Sequence, residues 1–288
     1  MMADLLLHSM AEFKDIFGHA MYLKKPKNIV EIGSEYGGST KVLLDYAKNN
    51  GAHVYIIDPF PYVDLAIVLK EFDGHYTHIK ELSLDVLPKL KDIDMCFIDG
   101  DHNYYTVFNE LNCLIPRNPG IWIFLHDVKW PCRYRDMYYN PDTIPTEHLK
   151  DFNYSNSINE NNEIDKRGGF TGVGKFAFAN QYGGKNNGVK KAIDNFLLEN
   201  SDYYYNEIEP VMGLGLIVPK YNKEYSIEIL EPYQNHLMKT LEKNRIELYV
   251  RYLQLISELE RARKEREDNI LFRISRKISK KFDYKKFN

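Results

Sequence analysis

A chain of 288 residues with 44% hydrophobic content can bury one large α/β domain with extensions, or two small domains, which excludes global disorder. Its 38 basic and 41 acidic residues leave a formal charge of −3, so no whole-chain field favours nucleic acid or an anionic membrane. Cys96, Cys113 and Cys132 match neither a zinc clip nor a disulfide framework, and there is neither a secretory signal nor a run of about 18 apolar residues, so a cytoplasmic protein without a transmembrane segment is expected.

Residues 1–24 predict an amphipathic helix, with Leu5, Leu6, Met10, Phe13 and Phe17 at helical spacing. Apolar runs then alternate with helical patterns. Strands are predicted at 28–33, 53–58, 76–80, 95–99 and 120–127, and helices at 40–48, 62–72, 83–90 and 104–115. Such alternation implies a parallel sheet buried on both faces, joined by right-handed crossovers. Residues 129–172, rich in Asn, Asp, Tyr and Pro, break the rhythm and are expected to form a long lid. A helix at 188–199 and strands at 203–208 and 213–219 resume it, the last two as an antiparallel edge hairpin. The fold class is therefore α/β: a Rossmann-like, doubly wound, mostly parallel seven-stranded sheet plus a C-terminal helical extension.

Three regions follow from this: an N-terminal helix over 1–24, a nucleotide-binding domain over 25–220, and a helical extension over 221–288. In the extension, Ile246, Val250, Leu253 and Ile256 lie on one stripe, which suits a protruding helix that binds a partner or a second copy in a homodimer. The closing residues RISRKISKKFDYKKFN form a basic tail, either solvated or in weak peripheral contact with acidic headgroups.

The segment NIVEIGSEYGGST, residues 28–40, is a strand ending in acidic Glu31, a glycine turn and small residues opening a helix. Gly33 permits the sharp turn, Gly37 and Gly38 a close approach of ligand and helix, and Ser39 or Thr40 can cap exposed N–H groups. The loop spells neither G-x-G-x-x-G nor a lysine-containing phosphate loop, which favours a nucleotide ligand lacking phosphates; glycines that only shape a turn remain the alternative. In HVYIIDPF, Asp58 ends the next strand, where an acid can accept both ribose hydroxyls or simply cap the chain before Pro59. Ser83 and Asp85 follow the third strand, at the place of an adenine contact or of a helix cap. MCFIDGDHNYY brings Asp99, Asp101 and His102 to the carboxyl edge of the sheet, and IWIFLHDV brings His126 and Asp127 there. Asp99 and Asp127 could present carboxylates to one divalent cation.

Taken in order, VEIGSEYGGST, IIDPF, FIDGDHNYY and FLHDV resemble class I S-adenosylmethionine-dependent methyltransferases, and within them the branch of macrocin and mycinamicin sugar O-methyltransferases and cephalosporin-hydroxylase-like proteins. The resemblance covers roughly residues 25–220, including GFTGVGKFAF and GLGLIVP. It implies S-adenosylmethionine as cofactor, held by Glu31, Gly33, Ser39, Asp58, Asp85 and Asp99. It implies Asp99 and Asp127 as metal ligands, with His126 as a further candidate, and His102 as the general base. The magnesium-binding relatives show two consecutive acids where this chain has His126 and Asp127; an imidazole suits manganese, iron or zinc better than magnesium. The implied activity is O-methylation of a hydroxyl on a sugar, glycan or related small molecule. Two alternatives stand beside it: a non-catalytic nucleotide-binding or scaffolding module of a glycan-assembly system, and a hydroxylase in which His102, His126 and Asp127 form a facial triad.

Overall fold

The computed structural model describes residues 6–283, with side chains of the last helix up to residue 268. Leu5 and the side chains of the basic tail lie outside the described residues. The N-terminal region is shorter in helix than expected. A 3₁₀ turn at Met10–Phe13, whose Ser9 hydroxyl accepts from Ala11 N, leads into α1 (Lys14–Lys24), and Leu6–Ser9 precede it without helix.

There follow β1 (Asn28–Ile32), α2 (Gly38–Asn50), β2 (His53–Ile57), α3 (Leu65–Val68), β3 (Tyr76–Ile79), α4 (Ser83–Val86), β4 (Met95–Ile98), α5 (Tyr104–Leu114) and β5 (Trp122–His126). The helix expected at 62–72 shrinks to α3 and a 3₁₀ turn at Lys70–Phe72. The reason is local: Pro59 and Pro61 keep the preceding chain out of helix, and Asp64 caps the helix late by accepting from Ala66 N. Helix α2 stops where Gly51 takes a left-handed φ of +61°.

The strands form one seven-stranded sheet in the order β3-β2-β1-β4-β5-β10-β9, where β9 is Tyr203–Ile208 and β10 is Leu214–Pro219. β1 to β5 pair in parallel, and β10 runs antiparallel to both β5 and β9. Alternate residues of each strand feed two cores. Ile29, Phe97 and Phe124 pack with Phe17 of α1 and Leu43 of α2 on one face, while Val30, Cys96 and Ile123 pack with Leu111 of α5 and with Ile193 and Phe196 of α6 (Val189–Glu199) on the other. All three cysteines are free.

The lid is more ordered and longer than the polar stretch suggested. It contains β6 (Met137–Tyr138), β7 (Phe152–Asn153) and β8 (Ala177–Ala179), which form a second sheet in the order β6-β8-β7, so it continues past residue 172. Buried Asp136 ties it to the body: it accepts from Tyr104 N at 2.7 Å, Gly188 N at 2.6 Å and the Tyr138 hydroxyl at 2.8 Å. Trp130 and Tyr138 are core residues of this segment, donating to the Asn159 carbonyl and to Asp136 respectively.

After α7 (Lys223–Leu230), α8 (His236–Asp283) runs for 48 residues. The stripe expected to meet a partner is engaged within the chain: Ile246 and Val250 are buried with Leu6, Trp130 and Met212. Among the described residues no helix is long and apolar enough to cross a membrane.

Candidate active site at the carboxyl ends of the central strands

In an open α/β sheet the ligand crevice lies beyond the carboxyl ends of the strands, where strand order reverses; here that point falls between β1 and β4. The turn after β1 is set by close packing. Gly33 has φ +83°, and a Cβ there would lie 2.4 Å from the Asp99 carbonyl oxygen, so the β1 and β4 ends meet with no room for a side chain.

Glu31 sits under this turn. Its carboxylate accepts from the Ser39 and Thr40 hydroxyls, each at 2.6 Å, which fastens the start of α2 to β1. Burial pushes its pKa up to about 7. Both Glu31 and Ser39 are thus occupied in shaping the loop. Asp58, at the end of β2, is also engaged: Oδ2 accepts from Ser34 N at 2.8 Å and Ser34 Oγ at 2.7 Å, and Oδ1 from Phe60 N at 2.9 Å. A carboxylate offers about four lone pairs, so three are taken and one on Oδ1 stays available. Room for a further donor is therefore on Oδ1. Ser34, which makes this link, has no motif signal to reveal it. Asp85 is exposed in the short α4, apart from these contacts, and Ser83 donates to Glu110 Oε1 at 2.6 Å.

Glu110 gives a pH-dependent prediction. It is fully buried, its Oε2 has no hydrogen-bond partner, and burial pushes its pKa up to about 8. A carboxyl whose folded pKa lies above its unfolded value contributes stability that is complete below the unfolded pKa, near 4.3, and is lost as pH rises through the folded one. Glu110→Gln removes that loss. Its stability relative to the parent is expected to rise by a few kcal/mol on going from pH 5 to pH 9, on the order of one kcal/mol per pH unit crossed. Chemical denaturation at the two pH values measures this, and parallel pH profiles for parent and variant would contradict it.

The four residues expected to converge do so. His102 Nε2 lies 3.3 Å from Asp127 Oδ2; His126 Nδ1 lies 2.9 Å from Asp99 Oδ1 and 3.6 Å from Asp127 Oδ2. The side chains of His102, His126 and Asp127 are buried, whereas that of Asp99 is 21% exposed. Asp127, with φ +55°, holds a strained left-handed conformation, as residues at functional positions often do. His126 Nε2 donates to the Val211 carbonyl at 2.8 Å, an acceptor supplied by the β9–β10 turn, where Val211 and Met212 both have positive φ. Burial disfavours charge on this ring, but Asp99 and Asp127 outweigh it and push its pKa up to about 9.

Among the described residues, Asp99, His126 and Asp127 place one ligand atom each within 4.8 Å of one another. The N–H of His126 given to a carbonyl is the arrangement expected of a ring that binds metal through its other nitrogen. Nδ1 must first release the proton it shares with Asp99.

Further side chains meet at this edge. Tyr139 packs on the His102 ring at 5.9 Å and on Phe176 of the lid at 5.7 Å. Phe13 meets the His126 ring edge-on at 5.7 Å. His8 Nε2 comes to 3.6 Å from Glu35, whose carboxylate holds the imidazole up at about 9 against the cost of burial. A cleft of about 690 Å³, lined by Pro59, Phe60, Tyr62, Tyr76 and His78 among others, opens beside Asp58.

Residues 30–128, spanning β1 to just beyond β5, match a family described as a methyltransferase domain. The matched segment takes in Asp99, His102, His126 and Asp127. An uncharacterised protein of Acanthamoeba polyphaga mimivirus is 33% identical over 132 residues, a match covering 40% of this chain and 55% of that protein, so the chain spans about half the length of the curated relative it matches. Among solved structures, the O-methyltransferase from Bacillus cereus in complex with SAH is 16% identical, with 76% of this chain and 86% of that chain covered and a TM-score of 0.46. The SAH-bound methyltransferase PaMTH1 of Podospora anserina is 17% identical, with 73% and 77% covered and a TM-score of 0.45.

Proposed function

We propose that the chain is a cytoplasmic S-adenosylmethionine-dependent O-methyltransferase acting on a hydroxyl of a sugar, glycan or related small molecule. The observation that carries this reading is the His102–Asp127 pair, buried at the carboxyl edge of a methyltransferase domain, 3.3 Å apart, with Asp99 and His126 beside it.

S-adenosylmethionine, when bound, supplies an electrophilic methyl group on sulfur. The residues of the chain do the rest. The Gly33 turn and the remaining lone pair of Asp58 hold the ribose side, with Glu31 and Ser39 fixing the loop from beneath. His102 accepts the proton of the acceptor hydroxyl as the oxygen–carbon bond forms and the carbon–sulfur bond breaks, leaving S-adenosylhomocysteine. Asp127 Oδ2 then stabilises the imidazolium that results. Burial at this edge excludes water and strengthens that ion pair, and positioning supplies much of the rate. Asp99, Asp127 and His126 Nδ1 would hold a divalent cation, magnesium or manganese, which lowers the pKa of a coordinated hydroxyl.

The hydroxylase alternative gains no support, because His102 stands outside the ligand set that comes within 4.8 Å. Calorimetric titration with S-adenosylmethionine and S-adenosylhomocysteine, with and without manganese, tests the proposal. Micromolar binding is expected, weakened about tenfold in Asp58→Ala by loss of a charge-assisted hydrogen bond and of the Ser34 anchor. Absence of binding by the parent under both conditions would overturn it in favour of a scaffolding role.

A further inference from the structure

Helix α8 carries two apolar stripes on opposite sides. The stripe of Ile246 and Val250 is covered by the chain's own body. The other, formed by Leu237, Leu241, Leu248, Leu255 and Leu259, faces solvent, each leucine being between 54% and 63% exposed. At about 100° per residue the five leucines fall within a strip roughly 40° wide, about half a turn from Ile246 and Val250. A soluble helix seldom leaves such a continuous row uncovered without a partner.

The spacing of the row identifies the partner. Leu241 and Leu255 each stand seven residues from Leu248, and Leu237 and Leu259 each stand eleven, so the row is the same in either direction. A twofold axis through Leu248, perpendicular to the helix, therefore sets every leucine of one chain opposite a leucine of an antiparallel second copy: 248 on 248, 241 on 255, 237 on 259. Self-complementarity of this kind is what an isologous interface requires.

Charge agrees with that register. Exposed Glu247 and Arg251 flank the row on one side, and the same axis brings Glu247 of each copy beside Arg251 of the other, giving two opposite-charge contacts around the central leucines. The row is also rigidly presented. Over the same span α8 is fastened to the body by Glu242, which accepts from Met212 N at 3.0 Å, by Gln254, which donates to Asp165 at 3.2 Å, and by Arg261, which donates to the Arg167 carbonyl at 2.6 Å. Little ordering remains to be imposed on association.

We propose that α8 is a dimerisation element that pairs antiparallel with α8 of a second copy of this chain, centred on Leu248. This inference does not depend on the catalytic reading. Sedimentation velocity of the full chain over a concentration series tests it. The parent is expected to sediment as a dimer, and Leu248→Lys, at an exposed position, as a folded monomer whose circular dichroism spectrum matches that of the parent. Glu247→Arg and Arg251→Glu are each expected to raise the dimer Kd about tenfold by placing like charges together, and the double reversal to restore it. A parent that stays monomeric at every concentration, a dimer indifferent to Leu248→Lys, or a double reversal no tighter than the single ones would each overturn the proposal.

Discussion

His102→Ala is expected to lower kcat by about 10²–10⁴, the range usual for loss of a positioned general base, while the affinity for S-adenosylhomocysteine changes by no more than about twofold. The separation arises from geometry. His102 Nε2 faces Asp127 Oδ2 at 3.3 Å and its ring packs on Tyr139, whereas the nucleotide-binding contacts proposed for Gly33 and Asp58 lie on β1 and β2, across the switch point. The measurement is turnover of S-adenosylmethionine with a hydroxyl acceptor, alongside calorimetry of the product. Retention of more than a tenth of the parent kcat with binding intact would remove His102 from the proton transfer. Matching losses of kcat and product affinity would make it a positioning residue instead.

Gly33→Ala is expected to destabilise the fold by about 3–5 kcal/mol and lower Tm by roughly 10 °C, summing left-handed strain with a backbone clash. With φ at +83°, a Cβ there falls 2.4 Å from the Asp99 carbonyl oxygen and 2.8 Å from Gly100 Cα, so two strand ends must separate. Gly51→Ala separates the two causes. Its φ is +61° with nothing within 4 Å of the added Cβ, so only strain remains, on the order of 1–2 kcal/mol. Thermal melts of both variants decide the point: equal losses would show that the close approach of β1 and β4 contributes nothing.

The parallel sheet was legible because its information is local and periodic. Continuous apolar runs such as MCFI and WIFLH announce strands buried on both faces. The short α3 was misread because apolar spacing extends over residues that Pro61 and the Asp64 cap keep out of the helix. The small lid sheet was missed because its strands, of two or three residues, are too short to carry a period.

The amino-acid sequence by itself determined the alternation of strands and helices in the first half, the glycine turn after β1, and the meeting of Asp99, His102, His126 and Asp127 at one edge, since strand ends in a parallel sheet must share that edge. Only the tertiary structure decided what each group is bonded to. Asp58 gives three of its lone pairs to Ser34 and Phe60, His126 finds its acceptor at Val211, 85 residues away, and Ile246 and Val250 of α8 dock on the body while the leucines opposite them do not. Hydrogen-bond partners and the choice between two apolar faces of one helix depend on contacts distant in sequence, and no local pattern encodes which of those contacts forms.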